Sequence, residues 1–336
     1  MTREVKKFGF LMHPRGIEDI RLAYPVFNFF PKLFILILIK FLRPKSLGKI
    51  SVILNNQKVE GYFIGIFLTA EQMLGLPKEI VQKKINQSLK LAIKLNIGIV
   101  GLGGMTSPAT NGGLDLVNKF NLGVTTGNAY TVITSIQGLL HILKEYRINV
   151  TNVKFCVIGA TGSVGQGISL KISSMVNNLL LIGRTQEHLE ALKKEILNYN
   201  NIKVEITKDI SLIKDCDVII IATSSTNVII DPLILKQNAI IYDISQPKNV
   251  SRGLNKIRQD ILVMDGGLVE LPNLTTRVNL FLPPLTIYGC LAETILLASE
   301  KKFDNFAIGK VDLNQINIIE QLGLKYNFKP KDIKIT

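Results

Sequence analysis

The sequence has no tryptophan, three histidines, three cysteines and far fewer acids than bases. The missing tryptophan excludes no function. None of the histidines is spaced with cysteine or acidic residues as metal ligands are, so no metal is expected. Cys156, Cys216 and Cys290 are an odd number without metal-ligand spacing, and Met1 to Phe8 is polar and basic, without a signal-peptide pattern. Free thiols in a reducing cytoplasm are the simplest expectation. Long apolar runs are also lacking. The longest, Leu33 to Ile39 followed by Lys40-Phe41-Leu42, falls short of the ~20 residues that a bilayer span needs. Pro31 and Pro44 bracket it, and Lys32, Lys40, Arg43 and Lys45 flank it. A buried helix is the preferred reading, and an interfacial segment lying on anionic lipid is the alternative.

The shortage of acids leaves a formal charge of +14, which favours an acidic partner such as nucleic acid, an anionic membrane surface or an acidic carrier protein. Compositional drift towards Lys, Asn and Ile explains it equally well. No nucleic-acid motif or interleaved basic and aromatic pattern is present, so no nucleic-acid partner is expected. At 336 residues the chain allows about two domains of ~100–200 residues each, and 47% hydrophobic residues can fill two cores.

Patterning divides the chain at the helical stretch Ala129 to Glu145. Before it, Ile50–Leu54 and Val59–Leu68 read as strands joined at Asn55-Asn56, Pro77–Leu95 as a helix, and Ile97–Leu102 as a buried strand. After it, continuous apolar strands (Val153–Ile158, Leu179–Ile182, Val218–Ala222, Ala239–Asp243, Leu262–Asp265) alternate with helices. Runs buried on both faces and separated by helices predict a Rossmann doubly wound parallel sheet. The expected architecture is α/β: a second α/β substrate domain over residues 1–128, completed by C-terminal helices in 283–336, and a dinucleotide-binding domain over 129–282.

Phe155 to Ile158 runs straight into Gly159-Ala160-Thr161-Gly162-Ser163-Val164-Gly165 and then a helix. Glycines allow a tight turn and close backbone approach, and the helix start offers unpaired N–H donors to a pyrophosphate. The spacing Gly-x-x-Gly-x-x-Gly departs from the stricter fingerprint, but strand, loop and helix supply its context. The next strand ends in Gly183-Arg184-Thr185. An acid there would accept from ribose hydroxyls, whereas a guanidinium pairs with a 2′-phosphate, so NADPH is preferred over NADH. Thr223 and Ser224, Asp243, and Gly266 and Gly267 follow or end later strands, at the carboxyl edge where such sheets bind ligands.

Among the cysteines, Cys156 lies within a strand and Cys216 between two acids, so both are poor nucleophiles. Cys290 stands near the start of an apolar helix within Thr286 to Ser299. Thr286 is a candidate N-cap, Gly289 leaves space, and Glu293 shares its face. Local sequence alone still favours a buried core cysteine. His13 has no identified partner and is given a structural role. Lys248 either meets a substrate's phosphate-rich arm or is merely exposed.

Seven segments resemble the cyanobacterial-type long-chain acyl-(acyl-carrier-protein) reductases: Phe8-Gly-Phe-Leu-Met-His13, Leu102-Gly-Gly-Met-Thr-Ser107, Thr125-Thr-Gly-Asn128, Val157-Ile-Gly-Ala-Thr-Gly162, Pro247-Lys-Asn249, Gly266-Gly-Leu-Val-Glu270 and Cys290-Leu-Ala-Glu293. The resemblance implies NADPH-dependent reduction of a fatty acyl thioester to an aldehyde, with Cys290 carrying the acyl group. Acyl carrier protein or acyl-coenzyme A would be the donor, and the positive charge would steer either one. Ser107 and the backbone around Thr126 and Asn128 are candidate oxyanion donors, although Thr126 and Asn128 serve equally well as turn and cap residues. Pro14-Arg15-Gly16 and the Pro31 to Pro44 stretch depart from that family. The helix joining Thr-Thr-Gly-Asn to a Rossmann domain also resembles shikimate dehydrogenase and methylene-tetrahydrofolate dehydrogenase. The competing expectations are therefore a dehydrogenase of one of those types or a non-catalytic NADPH-binding protein. The Asn-x-Thr-x-Pro-x-Lys segment that resemblance to shikimate dehydrogenases would require is not found.

Overall fold

The computed structural model describes residues 7–224, 230–246, 248–250 and 253–334. Two compact units emerge. One holds the chain up to Gly127 with Leu271–Gly309 and Leu322–Asn327; the other holds Asn128–Glu270 with Lys310–Gln321 and Phe328–Thr336.

The first unit is built on β1 (Lys7–Met12), β2 (Lys45–Leu54), β3 (Gln57–Gly65), β4 (Ile97–Leu102), β5 (Gly123–Thr125) and the strand Leu274–Thr276. Their spatial order is Leu274–Thr276, β2, β3, β1, β4, β5. The β2–β3 pair is an antiparallel hairpin turning at Asn55 and Asn56, whose φ values of 46° and 63° suit a two-residue turn that follows strand twist. From β3 through β5 neighbouring strands run parallel. Alternation along the strands sends Leu11, Val100 and Leu102 to one face, where Val81, Ile85 and Leu89 of the helix Lys78–Lys94 pack on them. The other face receives the helix Gly289–Ser299. A Cβ on Gly101 would lie 2.1 Å from Thr294 Oγ1 and 2.7 Å from the Phe10 ring, so the missing side chain lets that helix settle on β4.

The apolar run near the N-terminus overturns its preferred reading. Lys32–Phe41 is a helix, yet Ile35 and Ile39 are its sole buried residues. They join Ile20 in a small cluster that Ile17, Phe27, Leu36 and Phe67 extend. Apart from Lys32 and Lys40 this helix is wholly apolar, so its periodicity marks no inner stripe. The inner stripe is chosen by i, i+4 packing and by two tethers from elsewhere: Gln72 Nε2 donates to Leu36 O at 2.9 Å, and the Lys84 ammonium donates to Leu42 O.

The second unit is a seven-stranded sheet. Its strands are β6 (Lys154–Ile158), β7 (Asn178–Ile182), β8 (Lys203–Thr207), β9 (Val218–Ile221), β10 (Ile240–Asp243) and β11 (Leu262–Asp265), with Ile333–Lys334 at one edge. The spatial order is Ile333–Lys334, β11, β10, β9, β6, β7, β8, and every pairing except the edge one is parallel. Starting from β6 the order is 3-2-1-4-5-6, the doubly wound arrangement, and the chain changes direction between β6 and β9. The fold class is therefore the expected α/β Rossmann type. The helices Asn128–Glu145, Ser163–Ile172 and Gln186–Tyr199 belong to this unit.

Candidate functional site

The glycine loop sits where the winding reverses, beside the end of β9. Gly159 has φ +80°, and a Cβ on it would come within 2.5 Å of Ala222 O and 3.2 Å of Thr223 Cα. The loop is pinned to β7 as well, because the N–H groups of Gly159 and Ala160 both donate to Ile182 O, at 2.9 and 3.0 Å. Gly165 lies so close beneath that its Cβ would be 2.2 Å from Gly159 O. Gly162 is different: it is exposed, and a Cβ there would meet nothing nearer than Gly159 O at 3.3 Å. It leaves an open lane over the first turn of the helix Ser163–Ile172, which no side chain caps. In that turn Ser163 Oγ is buried without a hydrogen-bond partner among the described residues. Open backbone, an uncapped helix start and an orphaned hydroxyl together fit a pyrophosphate.

Around this loop the sheet gathers several expected residues. Thr161 lies alongside Gly183 at the end of β7. Arg184 and Thr185 follow, both exposed, and Arg184 makes no hydrogen bond or ion pair to the described residues. Thr223 is half-buried and Ser224 exposed, just past β9. Val164 is half-buried in the helix start. Asp243 proves to be a brace: wholly buried, it accepts from the N–H groups of Ser245 and Asn249 at 2.9 and 2.8 Å and so shapes its own loop. Lys248 is half-buried; its ammonium donates to Asp243 O at 2.8 Å and pairs with Asp265. Pro247 lies outside the described residues. Gly266 and Gly267 follow β11; a Cβ on Gly266 would be 2.1 Å from the Tyr242 ring, so this glycine is needed for packing.

The cysteine is positioned within the first unit. The helix Gly289–Ser299 begins after Tyr288, making Cys290 its second residue. Thr286 is not the N-cap: it lies in the short strand Thr286–Tyr288, and its hydroxyl donates to Pro284 O at 3.2 Å. Cys290 is half-buried, whereas Cys156 and Cys216 are fully buried. Gly127, at φ +74°, backs directly onto it: a Cβ there would stand 2.3 Å from both Cα and Cβ of Cys290. Glu293 is fully buried and accepts the Thr125 hydroxyl; Gly127 N–H donates to that Thr125 oxygen at 3.2 Å. Thr294 Oγ1 donates to Cys290 O at 3.0 Å. Burial first, and then the Glu293 charge, push the thiol up to about 12, while the N–H groups of Leu291 and of Cys290 itself pull the other way. The expected helix-start stabilisation of a thiolate is present but outweighed.

Other candidates have fixed partners. The Thr126 hydroxyl donates to Ala307 O at 2.5 Å, so its proton is committed to the backbone of the returning segment. His13 is a structural residue with named partners: Nδ1 pairs with Pro14 O at 2.9 Å, and Nε2 accepts Met105 N–H at 2.8 Å. Burial lowers its pKa, which suits that neutral form. Ser107 is buried, and its hydroxyl makes no hydrogen bond among the described residues. Asn128 is half-buried and opens the helix Asn128–Glu145.

Comparison with known proteins agrees with this geometry. Residues 141–265 match the family model for shikimate / quinate 5-dehydrogenase. The chain is 26% identical to the long-chain acyl-(acyl-carrier-protein) reductase of Synechococcus elongatus over 312 residues, covering 87% of this chain and 89% of that one. It is 27% identical to the aminotransferase PigE of a Serratia species over 278 residues, covering 80% of this chain but spanning 32% of PigE. Among solved structures it is similar to L-tryptophan dehydrogenase from Nostoc punctiforme, with TM-score 0.42, 11% identity and coverage of 96% and 80%. The chain thus carries an oxidoreductase-type NAD(P)-binding fold related to shikimate dehydrogenase and to the acyl-carrier-protein reductase.

Sequence reasoning passed over Thr125, Gly127 as a packing residue, Gly101 and Thr294. Adjacent motifs name Thr125 and Gly127, but their partners arrive from the far end of the chain. Gly101 carried a weak signal, being a lone glycine inside a strand, which often marks close backbone approach.

Proposed function

We propose that the protein is an NADPH-dependent reductase converting a long-chain acyl thioester, on acyl carrier protein or coenzyme A, to a fatty aldehyde through a Cys290 thioester. The observation that carries the reading is the seating of Cys290 at a helix start against Gly127, with Thr125 and Glu293 joined behind it. Three separate sequence segments meet around one half-buried cysteine.

The cofactor would be held by the backbone of Gly159 to Gly165 and by Ser163, with Thr223 and Ser224 beside it and Arg184 pairing with the 2′-phosphate. When bound, it supplies the hydride. The remaining chemistry belongs to this chain. In the resting protein the sulfur keeps its proton. As the thiol attacks the acyl carbonyl, a carbon–sulfur bond forms, the donor's carbon–sulfur bond breaks, and the proton ends on the departing thiol. Glu293, on the same helix face and braced by Thr125, relays that proton. The N–H groups of Cys290 and Leu291, already directed at the sulfur, steady the developing oxyanion, with the uncommitted Ser107 hydroxyl as a further donor. Reduction then consumes one hydride and one proton, breaks the enzyme's carbon–sulfur bond and returns the free thiol. Covalent capture divides a difficult reaction into two easier steps.

Incubation with acyl thioester alone should add one acyl mass to Cys290. Acylation should release the donor thiol, and addition of NADPH should then release aldehyde and NADP⁺ in equal amounts as the adduct is lost. Cys290→Ala should lose both the adduct and the aldehyde while still binding NADPH. Retained turnover in that variant, or oxidation of shikimate by the unmodified protein, refutes the assignment.

A further inference from the structure

The segment from Leu22 to Leu42 presents an apolar surface that none of the described residues covers. Phe29 is 88% exposed, Phe41 75% and Leu33 71%, and Val26 and Ile37 are exposed beside them. Monomeric soluble surfaces seldom show so many large apolar side chains together, and such patches mark interaction sites. This one is rigid. Tyr24, Phe27, Phe30 and Phe34 form a continuous chain of ring contacts, with centroids 6.3, 6.2 and 5.2 Å apart. The helix Lys32–Phe41 is anchored on the opposite side by Ile35 and Ile39 and tethered through Gln72 and Lys84. At about 100° per residue, Leu33, Phe34, Ile37 and Phe41 fall on the side facing away from that anchor, with Leu38 at its flank. The outer face is therefore fixed in place and apolar.

Its border is basic. Between Asp19 and Glu60 the chain has seven Lys or Arg and no Asp or Glu. Arg43, Lys45 and Lys49 are exposed where the helix ends and β2 begins, and Lys32 is exposed at the helix start. This combination selects among occupants. A second copy meeting the same face would bring Lys32, Lys40, Arg43 and Lys45 against the same four cations, which is repulsive. An acidic protein would satisfy the charges but leave a protruding ridge of Phe, Leu and Ile to be matched. A bilayer with anionic headgroups supplies hydrocarbon for the ridge and negative charge for its border in one plane. Among the described residues no helix is long and apolar enough to cross a membrane, and a ten-residue helix spans roughly 15 Å, half a hydrocarbon core.

We propose that the face formed by residues 22–42 is a monotopic anchor that seats the protein on an anionic lipid surface, with the helix Lys32–Phe41 lying in the plane of the headgroups. The proposal does not depend on the reaction assigned above.

Co-sedimentation of the full chain with vesicles tests it. The protein should bind phosphatidylcholine vesicles containing phosphatidylglycerol and bind pure phosphatidylcholine far less, with binding weakened by raised salt. Burial of two Phe rings contributes at least ~30-fold to partitioning, so Phe29→Ser with Phe41→Ser should reduce binding by that factor or more. Replacing Lys32, Lys40 and Arg43 with Gln should reduce it about a hundredfold, near ~5-fold per cation. Both sets leave Ile35 and Ile39 untouched, so thermal unfolding should match the unmodified protein. Absence of binding to anionic vesicles at any salt overturns the proposal, as does binding that the paired Phe substitutions leave unchanged. Concentration-dependent dimerisation that those substitutions abolish overturns it in favour of a second copy.

Discussion

The reactivity of Cys290 gives the sharpest test of the site. Its thiol is pushed up to about 12 by burial and by Glu293, whereas an unperturbed cysteine lies near ~8.5. At pH 8 an ordinary thiol is ~24% thiolate and this one ~0.01%, a ratio of about 2,400. The more basic thiolate is intrinsically more nucleophilic, by ~40-fold for a Brønsted slope near 0.45 over the ~3.5-unit difference. Iodoacetamide should therefore label Cys290 roughly 60-fold more slowly than an exposed cysteine, with the rate still rising through pH 10. Cys156 and Cys216 are fully buried and should not compete. Peptide mass spectrometry of timed aliquots from pH 7 to 10 follows each site separately. Glu293→Gln removes the charge that raises the thiol, so that variant should label faster. A labelling rate within a few fold of an exposed thiol, or a plateau reached below pH 9, would refute the account of the thiol's surroundings.

Gly127→Ala combines a left-handed backbone penalty of ~1–2 kcal/mol with overlap against Cys290 backbone costing ~1–3 kcal/mol; thermal or urea unfolding should show a loss of about 2–5 kcal/mol. Arg184→Ala should weaken NADPH at least ~10-fold while leaving NADH unchanged, measured by fluorescence titration; equal effects on both would remove the 2′-phosphate contact. Asp332 is held above its ordinary pKa by burial, against the hydrogen bonds of His141 and Tyr242. The stability its neutral form contributes is complete below the ordinary value and is lost as pH rises through the raised one. Asp332→Asn should accordingly melt at or above the unmodified protein at pH 7, with the advantage gone near pH 3.

Much of the second unit could be read from sequence because its signals are local. The runs Leu179–Ile182, Val218–Ile221 and Leu262–Asp265 are apolar on both faces and short, which identifies parallel strands without knowledge of their neighbours. The glycine loop needs only its own strand and helix for recognition. The first unit was harder. The role of the Thr126 hydroxyl left no local sign because Ala307, the carbonyl it serves, lies far along the chain. In the second unit, Asp243 and Lys248 stand at strand ends, and the hydrogen bonds that tie them to their own loop are not legible from spacing. Cys290 was assigned the helix-start effect that spacing reveals, while burial, a property of the assembled unit, proved larger. Lys32–Phe41 was harder still, since a nearly unbroken apolar segment looks the same whether all or one side of it is enclosed.

The packing of Gly101 against Thr294 also bears on how the chain is made. The strands β1, β3 and β4 leave the ribosome early, but the helix that shields their Phe10 side is translated nearly two hundred residues later, a delay of roughly 10–40 s at ~5–20 residues per second. Throughout that interval the nascent N-terminal sheet has one greasy side uncovered while most of the Rossmann unit is threaded out behind it. Chaperone dependence and aggregation during synthesis should therefore track this first sheet. A stop codon placed before Gly289 should yield a product that keeps the dinucleotide loop's local sequence yet loses Cys290 and the cover of the sheet together.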